Sequence, residues 1–249
     1  MKYKIAFFLF DCFTNTIFKT FRNLRISGGP FKGMVYLSRS VGSSLTPKIL
    51  GTYERELNNF IKELPRFHDG IDVGAAEGYY AVGLLKTKVC ERVIAWETTD
   101  HGRELLSSLA EVNGVRGSLD IRGACSPENL NNELRSRVGI PTLMVIDCEG
   151  FEGPLLENIE DLLIHDCTMI IETHDMMNPG VHGRLLTKLS KTHQIIEVSP
   201  AKRSVTNISH SLPLPLRVFR IPIISRMAMS ERRCAGIRWL LCSPLDKNL

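Results

Sequence analysis

Residues 71–85 read IDVGAAEGYYAVGLL, and this stretch decides the fold. Ile71 and Val73 continue an apolar run, Gly74 and Gly78 interrupt it four residues apart, and an amphipathic pattern opens at Tyr79. Apolar residues, then glycines, then helical spacing predict a strand, a tight turn and a helix, with Asp72 at the seam. In α/β proteins this is a place where a small molecule lies against the backbone.

Outward from that seam the same alternation continues. Upstream, TYERELNNFIKEL (52–64) has apolar residues at 57, 60, 61 and 64 and is followed by Pro65, the pattern of a helix with a stop. Downstream, RVIAWE (92–97), SLDIRGA (118–124), TLMVIDCEG (142–150), CTMIIETHD (167–175) and HQIIEVS (193–199) read as strands, and GIRWLLCS (236–243) as a last one. Between them HGRELLSSLAEVNG (101–114), with Leu105, Leu106, Leu109 and Val112 on one face, ENLNNELRSRV (128–138), PLLENIEDLLI (154–164) and GRLLTKLSKT (183–192) read as helices. Pro154 suits a first helical turn, where its missing N–H is not needed. Strands that are apolar along their length and alternate with helices imply a mainly parallel sheet covered on both faces. The expected architecture is a doubly wound α/β domain at residues 51–249, preceded by an N-terminal helical arm at 1–50.

Composition narrows the class. Of 249 residues, 43% are hydrophobic and 23% charged, ordinary for a folded protein. A net charge of +4 is too small to indicate nucleic acid, so no nucleic-acid partner is expected. Seven scattered cysteines, odd in number and without a CxxC pair, imply reduced thiols in a reducing compartment, and a cytoplasmic location. At the N-terminus the apolar run Ile5–Phe10 stops at Asp11, far short of the ~20 residues that span a bilayer, and no small-residue cleavage site follows. Phe10, Phe13, Ile17, Phe21 and Leu24, with Lys19, Arg22 and Arg25 between them, form an apolar and a basic helix face. Docking on the chain's own domain is preferred there to contact with a membrane surface.

Ligands of doubly wound sheets bind beyond the carboxyl ends of the strands, so those residues carry the chemistry. In order they are Asp72-Val73-Gly74-Ala75-Ala76-Glu77-Gly78, Glu97, Gly123-Ala124-Cys125, Asp147-Cys148-Glu149-Gly150 and Glu172-Thr173-His174-Asp175. A nicotinamide-binding turn usually carries G-x-G-x-x-G, its middle glycine making room for a pyrophosphate. Here that position is Ala76, and Glu77 beside it opposes a diphosphate. A cationic ligand without phosphates fits better, and S-adenosylmethionine has both properties. Glu97, 25 residues after Asp72, stands where a carboxylate can accept both hydroxyls of a ribose.

IDVGAAEGYYAVGLL (71–85), VIAWETTDHGRELLSSLAEVNGV (93–115) and LMVIDCEGFEGPLLENI (143–159) together resemble the successive motifs of class I S-adenosylmethionine-dependent methyltransferases. The IDCEGFE element is similar to the acidic D-x-E-G-x-E run of the FkbM-type family. The resemblance spans residues 54–200. It implies a seven-stranded, Rossmann-like methyltransferase sheet, S-adenosylmethionine over the first four strands, and methyl transfer, often to a hydroxyl on a small molecule or glycan. Carried over, Asp72, Gly74, Ala75, Gly78 and Tyr79 would line the methionine part, Glu97 would hold the ribose, Ala124 would lie near the adenine and Asp147 beside the methyl. The commonest family pattern has Asn and an apolar residue where this chain has Ala76-Glu77.

A hydroxyl acceptor must lose its proton, which calls for a carboxylate or imidazole within hydrogen-bond reach. Asp147 and Glu149 lead the candidates, followed by His174, with Glu172 on the same edge. Glu149 and Glu152 also read as helix N-terminal charges, and His174 as a strand-end histidine bonded to a neighbouring carboxylate. Asp147, Glu172, His174 and Asp175 include the residue types of a hard-cation site, but no spacing defines a geometry and no metal is assigned. Tyr53 and Glu54, on a leading segment, are further candidates for cofactor or acceptor contacts. Arg217, Arg220, Arg226, Arg232 and Arg233 could form a cationic lid over an anionic acceptor or simply a solvated basic edge. The alternatives to a methyltransferase are an NAD-dependent oxidoreductase and a non-catalytic cofactor-binding protein of the same fold. An amino-group nucleic-acid methyltransferase would carry N-P-P-Y, which is absent.

Overall fold

The computed structural model describes residues 24–200 and 237–245. Two compact units make up the chain, residues 1–63 with 201–232 and residues 64–200 with 233–249. The sequence expectations for the basic face before Leu24 and for Arg217–Arg233 lie outside the described residues.

In the first unit, Arg25 and Val35 form an antiparallel bridge around a turn that buries Ile26, Phe31 and Met34. Two short helices follow, α1 (Leu45–Leu50) and α2 (Asn58–Glu63), with a 3-10 turn at Arg55–Leu57. Gly51 ends α1 in the left-handed region (φ 70°), and a Cβ there would lie 2.1 Å from the Gly28 carbonyl, so only glycine fits. Residues 24–44 contain no helix, and the helical arm expected at 1–50 is represented among the described residues by α1 alone. The unit also runs on to Glu63, beyond the expected arm.

The second unit is built on seven strands: β1 (Phe67–Val73), β2 (Cys90–Trp96), β3 (Leu119–Arg122), β4 (Thr142–Ile146), β5 (Cys167–His174), β6 (His193–Val198) and β7 (Ile237–Pro244). Their spatial order is β3-β2-β1-β4-β5-β7-β6. The first five pair in parallel, and β7 runs antiparallel between β5 and β6. The order in which strands are laid down across the sheet reverses between β1 and β4, which makes the carboxyl ends of those two parallel strands the topological switch point. The helices are α3 (Tyr79–Lys86), α4 (Asp100–Val112), α5 (Pro127–Arg135), α6 (Glu152–Leu156), α7 (Asp161–Ile164) and α8 (Val181–Leu189).

Side chains alternate across each strand and so separate two packed faces. Ile71, Val73, Ile94, Trp96, Met144, Ile146, Met169 and Ile171 share one core with Leu130 and Leu134 of α5, Leu155 of α6, Leu163 of α7 and Leu185 of α8. Asp72 points to the other face, where its carboxylate meets α3 through the Ala81 amide. All eight residues of β5 are buried, the burial of a central strand covered on both sides. Among the described residues Cys90, Cys167 and Cys242 are buried thiols and Cys125 and Cys148 half-buried ones, with no disulfide.

Two local expectations are corrected. PLLENIEDLLI is not one helix: α6 begins earlier, at Glu152, so Pro154 is its third residue, and the chain breaks before α7, where Glu160 is extended (ψ 131°). The carbonyl of Ile159 freed by that break accepts from Lys188 Nζ of α8 at 2.7 Å, and Lys188 also pairs with Asp161. Val112, expected on the buried face of α4, is 52% exposed, because that helix buries Gly102, Leu106, Leu109 and Ala110.

Candidate active site at the carboxyl edge of the sheet

The turn after β1 is held in place from below. Gly74 and Ala75 both donate to the carbonyl of Trp96 at the end of β2, at 2.9 and 3.0 Å. Gly74 has φ 88°, and a Cβ on it would lie 1.8 Å from the Asp147 carbonyl oxygen. The close approach that requires a glycine is therefore that of the β4 end. Gly78, φ 96°, starts α3, and a Cβ there would lie 2.3 Å from Leu106 Cδ1 of α4, which is the tight helix packing read from its position. Ala76 takes the left-handed region at φ 47° without being a glycine.

Glu97 receives that turn. Its Oε2 accepts from the Ala76 amide at 2.9 Å, and its Oε1 accepts from the Thr99 amide at 2.8 Å and the Thr99 hydroxyl at 2.7 Å. Thr99 in turn caps α4 by accepting from the Gly102 amide. Glu97 is thus a buried carboxylate that joins the β1 and β2 loops; Oε1 already accepts twice, and Oε2 keeps lone-pair capacity for a further donor. Asp72 lies deeper, 2% exposed, with Oδ2 accepting from the Ala81 amide at 2.9 Å. Burial pushes its carboxyl up to about 7; the Ala81 amide opposes that, and the charges of Asp147 and Glu97 add to it. Tyr79 and Ala75 are buried beside this turn, and Ala124 is exposed on the loop after β3.

The second half of the site is formed by the ends of β4 and β5. Asp147 follows β4 directly and is tied to β1 by its amide, which donates to the Val73 carbonyl. The next residues form a turn with Glu149 at φ 52° and Gly150 at φ 101°. This turn brings Glu152, fully buried, back under it: Glu152 Oε1 accepts from the amides of Cys148 and Gly150 and from Nδ1 of His174 at 2.8 Å. Burial acts to raise the Glu152 carboxyl, yet the His174 contact and the Gly150 amide leave it below its ordinary value.

His174, the last residue of β5 and 5% exposed, has its other nitrogen in an acidic surround. Nε2 lies 3.6 Å from Glu172, 3.7 Å from Asp147 Oδ1 and 3.9 Å from Glu149. Burial opposes its protonation, but Glu152 and these carboxylates prevail and raise it above the usual imidazole value. Asp147 is pushed above the carboxylate range by burial, against the pull of the Glu172 hydrogen bond and the His174 charge.

The structure therefore brings Asp147, Glu149, Glu172 and His174 together, and removes Asp175 from the set. Asp175 accepts from the His182 amide and pairs with Arg238 of β7 at 2.8 Å, which holds its carboxyl below the usual range despite partial burial. Glu152, read from the sequence as helix charge, takes its place as the partner of His174. The signal was available in the five-residue spacing Asp147 to Glu152, but the reversal of the chain at Glu149-Gly150 was not. Tyr53 and Glu54 belong to the first unit, where Tyr53 stacks under Lys48 Nζ at 4.9 Å and Glu54 is buried. The glycine turn, the paired carboxylates and the imidazole can hold a cationic ligand and accept a proton beside it.

No protein-family model and no curated protein matches the chain. Solved structures resemble it in part. The M1A22 tRNA methyltransferase TrmK of B. subtilis is 14% identical with a TM-score of 0.45, over 77% of this chain and 66% of that one. TrmK of M. capricolum, solved with S-adenosyl-homocysteine, is 14% identical with a TM-score of 0.48, over 77% of this chain and 71% of that one. An rRNA methylase from Streptococcus thermophilus is 12% identical with a TM-score of 0.49, over 79% and 96%. This chain spans just under two thirds of the B. subtilis protein.

Proposed function

We propose that this chain is an S-adenosylmethionine-dependent methyltransferase of class I, FkbM-like in its D-x-E-G-x-E turn, and that it methylates a hydroxyl on a small molecule or glycan. One observation carries the reading. Asp72, Glu97 and Asp147 stand buried or half-buried at the ends of β1, β2 and β4, and among the described residues no lysine or arginine pairs with any of their carboxylates. Three carboxylates around a glycine turn fit a cationic ligand that has an ammonium group and two ribose hydroxyls and no phosphate. A pyrophosphate at the same place would meet like charge, which weighs against the NAD-dependent alternative.

S-adenosylmethionine, when bound, supplies an electrophilic methyl group on a sulfonium. Asp72 would face its cationic end, with Gly74, Ala75, Gly78 and Tyr79 shaping the turn and Glu97 accepting from the ribose hydroxyls. Asp147 would lie beside the methyl, and Ala124 near the adenine. The acceptor's proton would pass to the cluster of Asp147, Glu149 and His174, with Glu152 orienting the imidazole through Nδ1. Transfer is an in-line displacement, so position accounts for most of the acceleration. A net charge of +4 is too small an excess to indicate a polyanionic acceptor such as RNA.

Calorimetric titration of the full chain with S-adenosylmethionine, and separately with NAD, tests this. Micromolar binding of the first is expected, weakened at least tenfold, about 1.4 kcal/mol, by Glu97→Ala with the fold retained by circular dichroism. A preference for NAD, or no binding of S-adenosylmethionine, refutes the assignment.

A further inference from the structure

We propose that the cluster at the ends of β4 and β5 is a binding site for one divalent transition-metal ion, with His174 Nε2, Asp147 Oδ1 and Glu172 Oε2 as ligands. The sequence alone assigned no metal here; binding of the ion does not depend on the methyltransferase reading, and only the role given to it toward an acceptor hydroxyl rests on that reading.

The imidazole of His174 is already oriented for an ion. Nδ1 is taken by the buried Glu152 at 2.8 Å, a bond that places the ring proton on Nδ1 and leaves the Nε2 lone pair facing the three other carboxylates. A carboxylate behind one ring nitrogen, with the other nitrogen directed at acidic groups, is the arrangement that orients histidine ligands of metals. The separations fit an ion as well. Nε2 is 3.6 Å from Glu172 and 3.7 Å from Asp147, beyond hydrogen-bond length but right for atoms with an ion between them. An ion about 2.1 Å from Nε2 and from either oxygen, the usual length to nitrogen and oxygen, would see that nitrogen–oxygen pair at about 120°, near the tetrahedral angle.

The polar atoms left over also point to a missing partner. Asp147 Oδ1 and Glu152 Oε2 are buried without a hydrogen-bond partner, and Glu152 is fully buried. Such atoms are costly unless something satisfies them. One ligand atom from each of Asp147, Glu152 and His174 lies within 4.8 Å of the other two, and two of these three residues are proposed ligands. An imidazole among carboxylates favours manganese, iron or zinc over magnesium, which prefers oxygen alone.

With the ion bound, Nε2 becomes a ligand and an acceptor hydroxyl on the ion would lose its proton more readily. Accepting that proton then falls to Glu149, whose side chain is 74% exposed at 3.9 Å from Nε2.

Equilibrium dialysis and electron paramagnetic resonance with Mn2+, on the full chain purified with chelator, test the site without any activity assay. One equivalent is expected to bind in the micromolar range and to raise the thermal midpoint. Asp147→Asn and His174→Ala should each weaken binding at least tenfold and abolish the thermal shift, whereas Glu157→Gln, on the surface of the same unit, should leave both unchanged. If His174→Ala does not fold, Asp147→Asn decides the matter, since it is nearly isosteric. No binding up to millimolar Mn2+, or binding that both variants retain, overturns the proposal. Because S-adenosylmethionine titration is read separately, loss of one reading leaves the other standing.

Discussion

Asp72→Asn should make the protein more stable at alkaline pH while weakening cofactor binding. The carboxyl of Asp72 is fully buried and titrates at about 7 in the folded chain against 3.8 as its ordinary value. In the interval between those values the unfolded chain has released the proton and the folded chain still holds it. Folding stability from this group is therefore full below about pH 4, falls by about 1.4 kcal/mol per pH unit, and is lost once pH passes about 7. The whole difference of about three units corresponds to about 4 kcal/mol, and the part between pH 5 and pH 8 to about 3 kcal/mol. Asparagine cannot ionise, and its amide oxygen can still accept from the Ala81 N–H that Oδ2 now receives at 2.9 Å. Urea unfolding of both proteins at pH 5 and pH 8, analysed by linear extrapolation, reads the difference directly. The gap in stability, variant minus wild type, should widen by about 3 kcal/mol in favour of the variant at pH 8. An equal gap at the two pH values would show that Asp72 is already ionised at pH 5 in the folded chain, and the argument from its burial would fail. The same variant, titrated with S-adenosylmethionine at pH 8, should bind at least tenfold more weakly.

Gly78→Ala places a methyl 2.3 Å from Leu106 Cδ1 on a backbone at φ 96°, so strain and overpacking together should cost about 2–4 kcal/mol. Gly114→Ala, at φ 70° with nothing within 4 Å, carries the backbone cost alone, about 1 kcal/mol; equal losses in thermal unfolding of the two would disprove the role of the α3–α4 contact. His182 bonds the buried Thr173 hydroxyl at 2.8 Å and Glu197 at 2.7 Å, linking α8 to β5 and β6. His182→Ala should lose about 2–4 kcal/mol in urea unfolding, with S-adenosylmethionine affinity retained, since these bonds lie away from the glycine turn.

Much of this molecule is written in local sequence. Apolar strands alternating with helices determined a parallel sheet, because only a strand buried on both faces needs apolar residues at successive positions. Most of the strands fall on such stretches, although the edge strands β3 (LDIR) and β6 (HQIIEV) are only partly apolar and partly buried, and the acidic residues at Asp72, Glu97 and Asp147 follow from where the strands end. Gly78 was readable as a packing position, since a helix that starts against a sheet needs room there. What the pattern does not contain is distance between residues remote in the chain. That Gly74 is demanded by the Asp147 carbonyl, and not only by a ligand, depends on β1 and β4 being neighbours across the switch point. The removal of Asp175 by Arg238 required β7 to insert antiparallel beside β5, bringing together residues 63 positions apart. Glu152 reaches His174 because Glu149 and Gly150 take positive φ and fold the chain back on itself, which no periodicity records. The sequence determined which residue types line the edge of the sheet; the tertiary structure decided which of them meet, because hydrogen bonds and charge pairing act over a few ångströms of space and not over positions in the chain.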